Sequence, residues 1–181
     1  MKPRSIILGL DASARRIGWA CIDHDTAELV SIGCEHTAAG DDLRNRRNAV
    51  KEIAAQANTR GDVCAVFLED AYAGPSRAGT IQHAGAVGNV EAFALERWPH
   101  LLVERIAPAT WRSILGLPNA GKEPVVVWAQ AATQRAMWTQ DEADAYAIAT
   151  CGHMLVWKSH IGIGETARNN PQTPEGKEAT R

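Results

Sequence analysis

An apolar run of strand length near the start of the chain leads directly into an aspartate. Residues 6–10 read Ile-Ile-Leu-Gly-Leu, Asp11 follows at once, and the chain becomes apolar again after a short turn. Such a continuous run predicts a strand that is buried on both faces, which is typical of the centre of an α/β sheet. A buried carboxylate is costly unless it is paired or binds a cation. Asp11 therefore either closes a turn through its own backbone or belongs to a site built with other acidic residues.

Composition limits the class of protein. The chain has 181 residues, of which 45% are hydrophobic and 22% charged, as in one soluble globular domain. Its net charge of −2 is not the basic excess common in nucleic-acid-binding proteins. Carboxylates that bind metal ions are neutralised, however, so this charge does not exclude a DNA substrate.

The sequence also indicates the compartment. No apolar run approaches the ~20 residues that span a membrane, and we expect no signal peptide. The four cysteines are scattered without a C-x-x-C pair, which favours neither a zinc site nor a disulfide framework. We therefore expect a cytoplasmic protein with no membrane association.

Periodicity predicts three strands, then alternating helices and strands, and finally helices. The predicted strands cover residues 5–11, 17–23, 28–36, 63–68 and 101–106, and the predicted helices cover 43–58, 80–98, 108–115, 122–137 and 140–157. From residue 159 onward almost nothing is apolar, which predicts a flexible tail over 159–181 after a domain over 1–158.

Basic residues on the first predicted helix lie mostly off its apolar stripe, and we interpret them as a solvated face. They are Arg44, Arg46, Arg47 and Lys51.

A second strand of the buried type, residues 63–68, also ends in a carboxylate, Glu69. If this strand and the first one are neighbours at the centre of the sheet, Asp11 and Glu69 lie side by side at one edge.

Two further carboxylates begin the last predicted helix. Thr139 and Glu142 form the pattern of a capping box, which places the start of a helix there. Asp141 and Asp144, three residues apart, then share a face in its first turn, where negative charge is favourable. Four carboxylates from distant segments could thus meet, and oxygen ligands of this kind suit Mg²⁺ or Mn²⁺. Two such ions about 4 Å apart form the arrangement that hydrolyses phosphodiesters.

The segments that carry these acidic residues share their pattern with a known family. Residues 7–20 contain Ile-Leu-Gly-Leu-Asp and Gly-Trp-Ala, residues 67–69 are Phe-Leu-Glu, and residues 141–149 are Asp-Glu-Ala-Asp-Ala-Tyr-Ala-Ile-Ala. In order and spacing they resemble the active-site motifs of RuvC-type Holliday junction resolvases. A fourth match, Ala107–Arg112 followed by Gly121–Val125, resembles the family segment that carries an essential lysine.

The resemblance covers about residues 5 to 157 and implies a ribonuclease H-like fold: a five-stranded mixed sheet, antiparallel in its first three strands, flanked by helices. It implies a metal-dependent endonuclease that cleaves four-way or other branched DNA junctions in recombination, repair or phage DNA processing. Two Mg²⁺ ions per site, replaceable by Mn²⁺, and a homodimer are also implied. The acid-rich charge, and Ala-Ser-Ala after Asp11 where the family has Pro-Gly, would suit a divergent, phage-borne member.

The resemblance also implies roles for individual residues. Asp11 would bridge two metal ions, Glu69 and Asp144 would each complete one ion's ligands, and Asp141 would assist at the ion bound by the last helix. Lys122 would contact the scissile phosphate and stabilise its developing charge.

A second set of residues would contact DNA. Tyr72, three residues after Glu69, would stack on a base at the junction centre, although packing against the core explains it equally well. Arg15 and Arg16 in the turn after Asp11 would contact backbone phosphates. Arg77 and Arg112 are expected to do the same.

Three other functions share parts of this pattern. Gly116–Lys122 is one residue short of a phosphate-binding P-loop, but Glu123 stands where Mg²⁺ binding needs Ser or Thr, so no nucleotide cofactor is expected. A sugar-kinase or actin-like ATPase needs two such domains, which this chain is too short to hold. A ribonuclease H-fold nuclease that cleaves flap DNA or an RNA precursor remains the serious alternative, because its site chemistry would be identical.

Overall fold

The computed structural model describes residues 3–37, 43–72, 76–118, 121–136 and 138–162; the side chains of Lys122 and of residues 158–162 are outside that description. The strands are β1 (Ser5–Ala12), β2 (Arg16–Asp23), β3 (Leu29–His36), β4 (Asp62–Glu69) and β5 (Leu102–Ile106). The helices are α1 (Leu43–Asn58), α2 (Arg77–Arg97), α3 (Pro108–Ile114), α4 (Lys122–Thr133) and α5 (Gln140–Gly162).

The five strands form one mixed sheet in the order β3-β2-β1-β4-β5. β1 pairs antiparallel with β2, and β2 antiparallel with β3, whereas β1–β4 and β4–β5 are parallel. The first and fourth strands are therefore central neighbours, as the prediction of a shared carboxylate edge requires. The predicted five-stranded mixed sheet with an antiparallel first half is confirmed.

Helices cover both faces of the sheet, which explains why its central strands are apolar throughout. Side chains alternate along a strand. Ile6, Leu8 and Leu10 accordingly belong to the core formed with α1 and α2. Ile7, with Ala65 and Phe67 of β4, belongs to the core formed with α3, α4 and α5.

α5 lies directly on the sheet because two glycines leave room for its backbone. A Cβ atom added to Gly18 would lie 2.1 Å from the carbonyl oxygen of Asp141, and one added to Gly9 would lie 2.3 Å from that of Ala145. No side chain fits at either distance. The first turn of α5 is therefore seated on β2 and the second on β1, close to the end of β1 where Asp11 stands.

Several predicted boundaries differ from the structure. α2 begins at Arg77, earlier than the predicted residue 80, because the side chain of Ser76 accepts a hydrogen bond from the amide of Gly79 and caps the helix. α4 ends at Thr133 and not at 137, because Gln134 adopts a left-handed conformation with φ 55°. α5 continues to Gly162, past the predicted end at 157. The remainder of the proposed tail, residues 163–181, lies outside the described residues.

The interpretation of the α1 arginines as one solvated face is wrong for Arg46, whose side chain is 1% exposed. Arg44, Arg47 and Lys51 are exposed, as predicted. Within the described residues, no helix is both long and apolar enough to cross a membrane.

Candidate active site

Asp11 and Glu69 stand at the same edge of the sheet. The β1–β4 register pairs Leu10 with Leu68 in parallel, so the next residues of the two strands are adjacent. Alternation along the strands places Asp11 on the side of Ile7 and Gly9, and Glu69 on the side of Phe67, which is the α5 face. Both are buried, with 9% of Asp11 and 8% of Glu69 exposed.

The capping box at the start of α5 brings two more carboxylates to this edge. The Thr139 amide and hydroxyl donate to Glu142 Oε2 at 2.8 and 2.9 Å, and the Glu142 amide donates back to Thr139 Oγ1 at 3.3 Å. The predicted capping box is thus present. It fixes the helix start so that Asp141 lies over β2, and Asp144, 9% exposed, follows three residues later.

All four carboxylates line one open groove of about 1070 Å³. Its other walls come from the turn after β1 and from the starts of α2 and α3. The groove is therefore large enough to admit a segment of polymer, and its floor carries the acidic residues that the sequence singled out.

Burial and neighbouring charge determine the electrostatics of Glu69. Burial raises the pKa of its carboxyl group, and the nearby Asp144 carboxylate raises that pKa further. The indole N–H of Trp111, which is buried in α3, donates to Glu69 Oε1 at 3.0 Å and opposes the shift, as does the positive charge of Arg112. A bound cation would thus offset the cost of ionising this buried carboxyl group.

Asp141 has different surroundings. Its Oδ2 forms an ion pair with Arg16 Nη1 at 3.1 Å, and the Cys34 thiol lies 3.9 Å from the same oxygen. Burial, with the adjacent Asp141 charge, raises the pKa of Cys34 to about 11, so this thiol is protonated at neutral pH. Arg16 thus contacts a groove carboxylate in this structure, and its predicted contact with a DNA phosphate stays a prediction.

The residues predicted to contact DNA are distributed over several elements. Tyr72 is 58% exposed, lines the groove, and makes an edge-on ring contact with His83 at 5.5 Å. Exposure leaves its ring face accessible, which favours stacking over core packing. Arg112 also lines the groove, with its guanidinium 4.6 Å above the Trp111 ring.

Arg15 and Arg77 are exposed, on the β1–β2 turn and at the start of α2. Lys122 is the first residue of α4, and the predicted role of its side chain falls outside the described residues.

Sequence reasoning missed three residues around the groove. The sequence patterns give no separate role to Trp111 or His83, and they predict a solvated face for Arg46. A tryptophan on a short helix next to a groove needs a partner for its N–H, which is the one signal that pointed to Trp111. The contact of His83 is with Tyr72 in the loop before α2, and the contacts of Arg46 are with a turn more than 30 residues earlier in the chain; neither belongs to a local pattern.

The donor set fits hard divalent cations. Carboxylate oxygens are the ligands that Mg²⁺, Mn²⁺ and Ca²⁺ prefer, and the desolvated pair of Glu69 and Asp144 carries charge that a cation would offset. In the part of the chain that the structure describes, no three His, Cys, Asp or Glu side chains form a group already arranged to hold a metal ion. Some adjustment of the carboxylates would therefore accompany binding.

Comparisons with known proteins give a consistent result. The family model described as crossover junction endodeoxyribonuclease RuvC matches residues 7–153. No curated protein matches the sequence.

Among solved structures, Thermus thermophilus RuvC in complex with Holliday junction substrate is 19% identical with a TM-score of 0.66, over 87% of this chain and 96% of that chain. A second T. thermophilus RuvC structure is 18% identical with a TM-score of 0.65 and the same coverage, 87% and 96%. The yeast mitochondrial Holliday junction resolvase Ydc2 is 10% identical with a TM-score of 0.51, over 90% of this chain and 87% of that chain. These likenesses establish the fold, so the predicted ribonuclease H-like architecture is confirmed.

Proposed function

The chain belongs to the RuvC family of crossover junction endodeoxyribonucleases, and we propose that it cleaves Holliday junctions at the groove between β1, β4 and α5. The family is one of metal-dependent nucleases. The predicted junction-cleaving nuclease is confirmed at the level of the family. The roles of the individual residues at this groove are a proposal.

One observation carries the residue assignment. Asp11, Glu69 and Asp144 come from three separate elements, each is 8–9% exposed, and all three line the same open groove. Buried carboxylates without a function are selected against by their desolvation cost. Their convergence on a groove of this size therefore supports a cation site that is accessible to a polymer.

The proposed roles of the individual residues follow from the family resemblance and from their places in the groove. Asp11, Glu69 and Asp144 would hold two divalent cations, Mg²⁺ or Mn²⁺, with Asp141 assisting. Such ions, when bound, generate a nucleophile from water and offset the charge that develops on the phosphate. The Trp111 N–H would keep one oxygen of Glu69 fixed at the groove that Glu69 lines. Lys122 is proposed to contact the scissile phosphate.

Substrate contacts are proposed for the rim of the groove. Tyr72 would stack on an unpaired base at the junction centre, an interaction worth about 1–3 kcal/mol. Arg15, Arg77 and Arg112 would contact phosphates, and Arg16 would do so on exchange from Asp141. We also propose a homodimer, because symmetric cleavage of a junction needs two active sites; the mass of the DNA-free protein in solution tests this. The cytoplasm, where chromosomal or phage DNA is processed, is the proposed compartment.

A substrate panel tests the proposal. A synthetic four-way junction, a flap, a linear duplex and a structured RNA are each incubated with the protein and Mg²⁺, and products are separated on denaturing gels. We expect cleavage of the junction and a loss of about 10²–10³-fold for Asp11→Asn, as for the removal of one central electrostatic group. Asp62→Asn is the matched control, because Asp62 is exposed at the opposite end of β4.

The outcomes separate the two candidate substrates. Preferential cleavage of the flap or of RNA, with the same dependence on Asp11, would overturn junction resolution and favour the alternative nuclease function. Equal cleavage by Asp11→Asn and wild-type protein would overturn the proposed site itself.

A further inference from the structure

The side chain of Arg46 is buried and holds the turn that follows Asp11. Its Nη1 donates to the carbonyl oxygen of Ser13 at 2.9 Å and its Nη2 to that of Ala14 at 2.8 Å. Only 1% of the residue is exposed. A guanidinium presents its donors in a rigid planar fork, so one side chain fixes two successive peptide groups.

All four carbonyl oxygens of this turn accept hydrogen bonds from within the protein. Besides the two bonds from Arg46, the Thr37 amide donates to the carbonyl of Arg15 at 2.9 Å, and the Ser13 amide to that of Arg16 at 2.8 Å. Thr37 is itself buried, and its hydroxyl lies 3.4 Å from the Ala14 carbonyl. The turn is thus held from α1 and from the end of β3.

The N–H groups of the same peptides point in the opposite direction from their carbonyl groups. In a planar trans peptide the N–H and C=O directions are antiparallel, so the amides of Ala14 and Arg15 point away from Arg46. Neither amide donates to any residue that the structure describes. Ser13 and Ala14 line the groove that contains Asp11. Two successive N–H groups on a concave turn form a nest that attracts anions.

We infer that the Ser13–Arg16 turn binds one phosphate of the DNA backbone through the amides of Ala14 and Arg15, and that Arg46 is the positioning residue that holds those amides in place. This inference rests on the proposed function, because the phosphate belongs to the nucleic acid that enters the groove.

The charges around the groove favour a phosphate site that is built from backbone amides. The groove is acidic at its floor, and Arg16 is engaged with Asp141 at 3.1 Å. Backbone amides donate to a phosphate without placing another full positive charge beside Asp11. Arg46 contributes its charge from behind the turn, through the two carbonyls, while its own side chain stays out of contact with solvent.

Substitutions in the protein, combined with neutral phosphate analogues in the DNA, test the inference. Junction strands are prepared with a neutral methylphosphonate at each phosphate in turn, and affinities are measured in an Asp11→Asn background so that no cleavage occurs. Three proteins are compared: the Asp11→Asn parent, and the same chain with Arg46→Met or Arg46→Lys. Arg47→Met serves as the control, because Arg47 is an exposed α1 arginine that pairs with Glu96.

We expect Arg46→Met to weaken binding of the unmodified junction about tenfold, with Arg46→Lys intermediate because its single ammonium cannot replace the fork. A methylphosphonate at one position should weaken junction binding by the parent by a similar factor. The same methylphosphonate should not weaken junction binding by the Arg46→Met protein any further. A merely structural role for Arg46 predicts equal losses at every position and no such pairing, which would overturn the inference.

A second measurement leaves Arg46 unchanged and remains decisive if its variants do not fold. Cys21 allows a synthetic segment 1–20 to be ligated to residues 21–181, so the Ala14–Arg15 amide can be replaced by an ester. Loss of that N–H should weaken binding of the unmodified junction, and a methylphosphonate at the same phosphate position should then weaken binding no further. A methylphosphonate profile of the ester protein that is unchanged from that of the parent would overturn the inference. If the wild-type protein cleaves junctions and the Asp11→Asn parent binds them normally while these results fail, the nest is wrong and the proposed function stands.

Discussion

Glu69 is a buried carboxylate beside a second one, Asp144, and the N–H of Trp111 is its hydrogen-bond donor in the core. Burial raises the pKa of Glu69 above its ordinary value of 4.5, with Asp144 as the next cause in the same direction. A group with a raised pKa favours the fold below its ordinary pKa, and this contribution is lost as the pH rises through the folded-state value. In the metal-free protein, ionised Glu69 therefore opposes folding at neutral pH.

Glu69→Gln should consequently stabilise the metal-free protein while abolishing cleavage. The amide oxygen can still accept from Trp111, and the charge is removed. With chelator present, we expect the Glu69→Gln melting temperature to exceed wild type at about pH 8 and the difference to shrink toward about pH 5. For a chain of 181 residues, 1 kcal/mol corresponds to about 2–4 °C.

Glu104→Gln is the control, since Glu104 is exposed on β5 and should show no such pH-dependent gain. A lower melting temperature for metal-free Glu69→Gln at neutral pH would contradict the assignment of an electrostatic cost to Glu69.

At the scale of elements, the site depends on how α5 is seated on the sheet. The capping box fixes where the helix begins, and Gly18 and Gly9 fix how closely it approaches β2 and β1. Sequence alone predicts the first of these, because a capping box is a local pattern. It does not predict the second, because the glycines and α5 are separated by most of the chain. Both are needed to bring Asp144 to the groove.

Gly18→Ala should therefore displace the start of α5 and impair catalysis. The added Cβ would lie 2.1 Å from a backbone carbonyl, which cannot move without the helix. We expect a loss of about 1–3 kcal/mol in stability, as for overpacking in a core, and a larger loss in junction cleavage. Melting curves and cleavage rates measured on the same preparation check both.

Gly85→Ala is the matched control within α2, since a Cβ there meets nothing within 4 Å. Higher helix propensity should make that variant up to about 1 kcal/mol more stable. Wild-type cleavage by Gly18→Ala would contradict the proposed dependence of the site on α5 seating.

For the whole molecule, the acidic edge links cation binding to stability. If Asp11, Glu69 and Asp144 hold the cations, Mg²⁺ should raise the melting temperature of the wild-type protein. At ten times the dissociation constant the gain is about 1.4 kcal/mol, or about 3–6 °C. Asp11→Asn should lose most of this shift, and Asp62→Asn should keep it. The same shift in all three proteins would show that Mg²⁺ binds elsewhere.

The family resemblance implied the mixed order of the sheet. The sequence by itself determined the strands that lead into Asp11 and Glu69, the start of α5, and the order of strands and helices typical of an α/β fold. These features are encoded in local periodicity and capping, which a single segment carries. Only the tertiary structure decided that Arg46 is buried against the turn, that Arg16 pairs with Asp141, and that Trp111 donates to Glu69. Each of those contacts joins segments distant in sequence. Strand register and helix packing determine which residues meet, and local sequence patterns do not encode either.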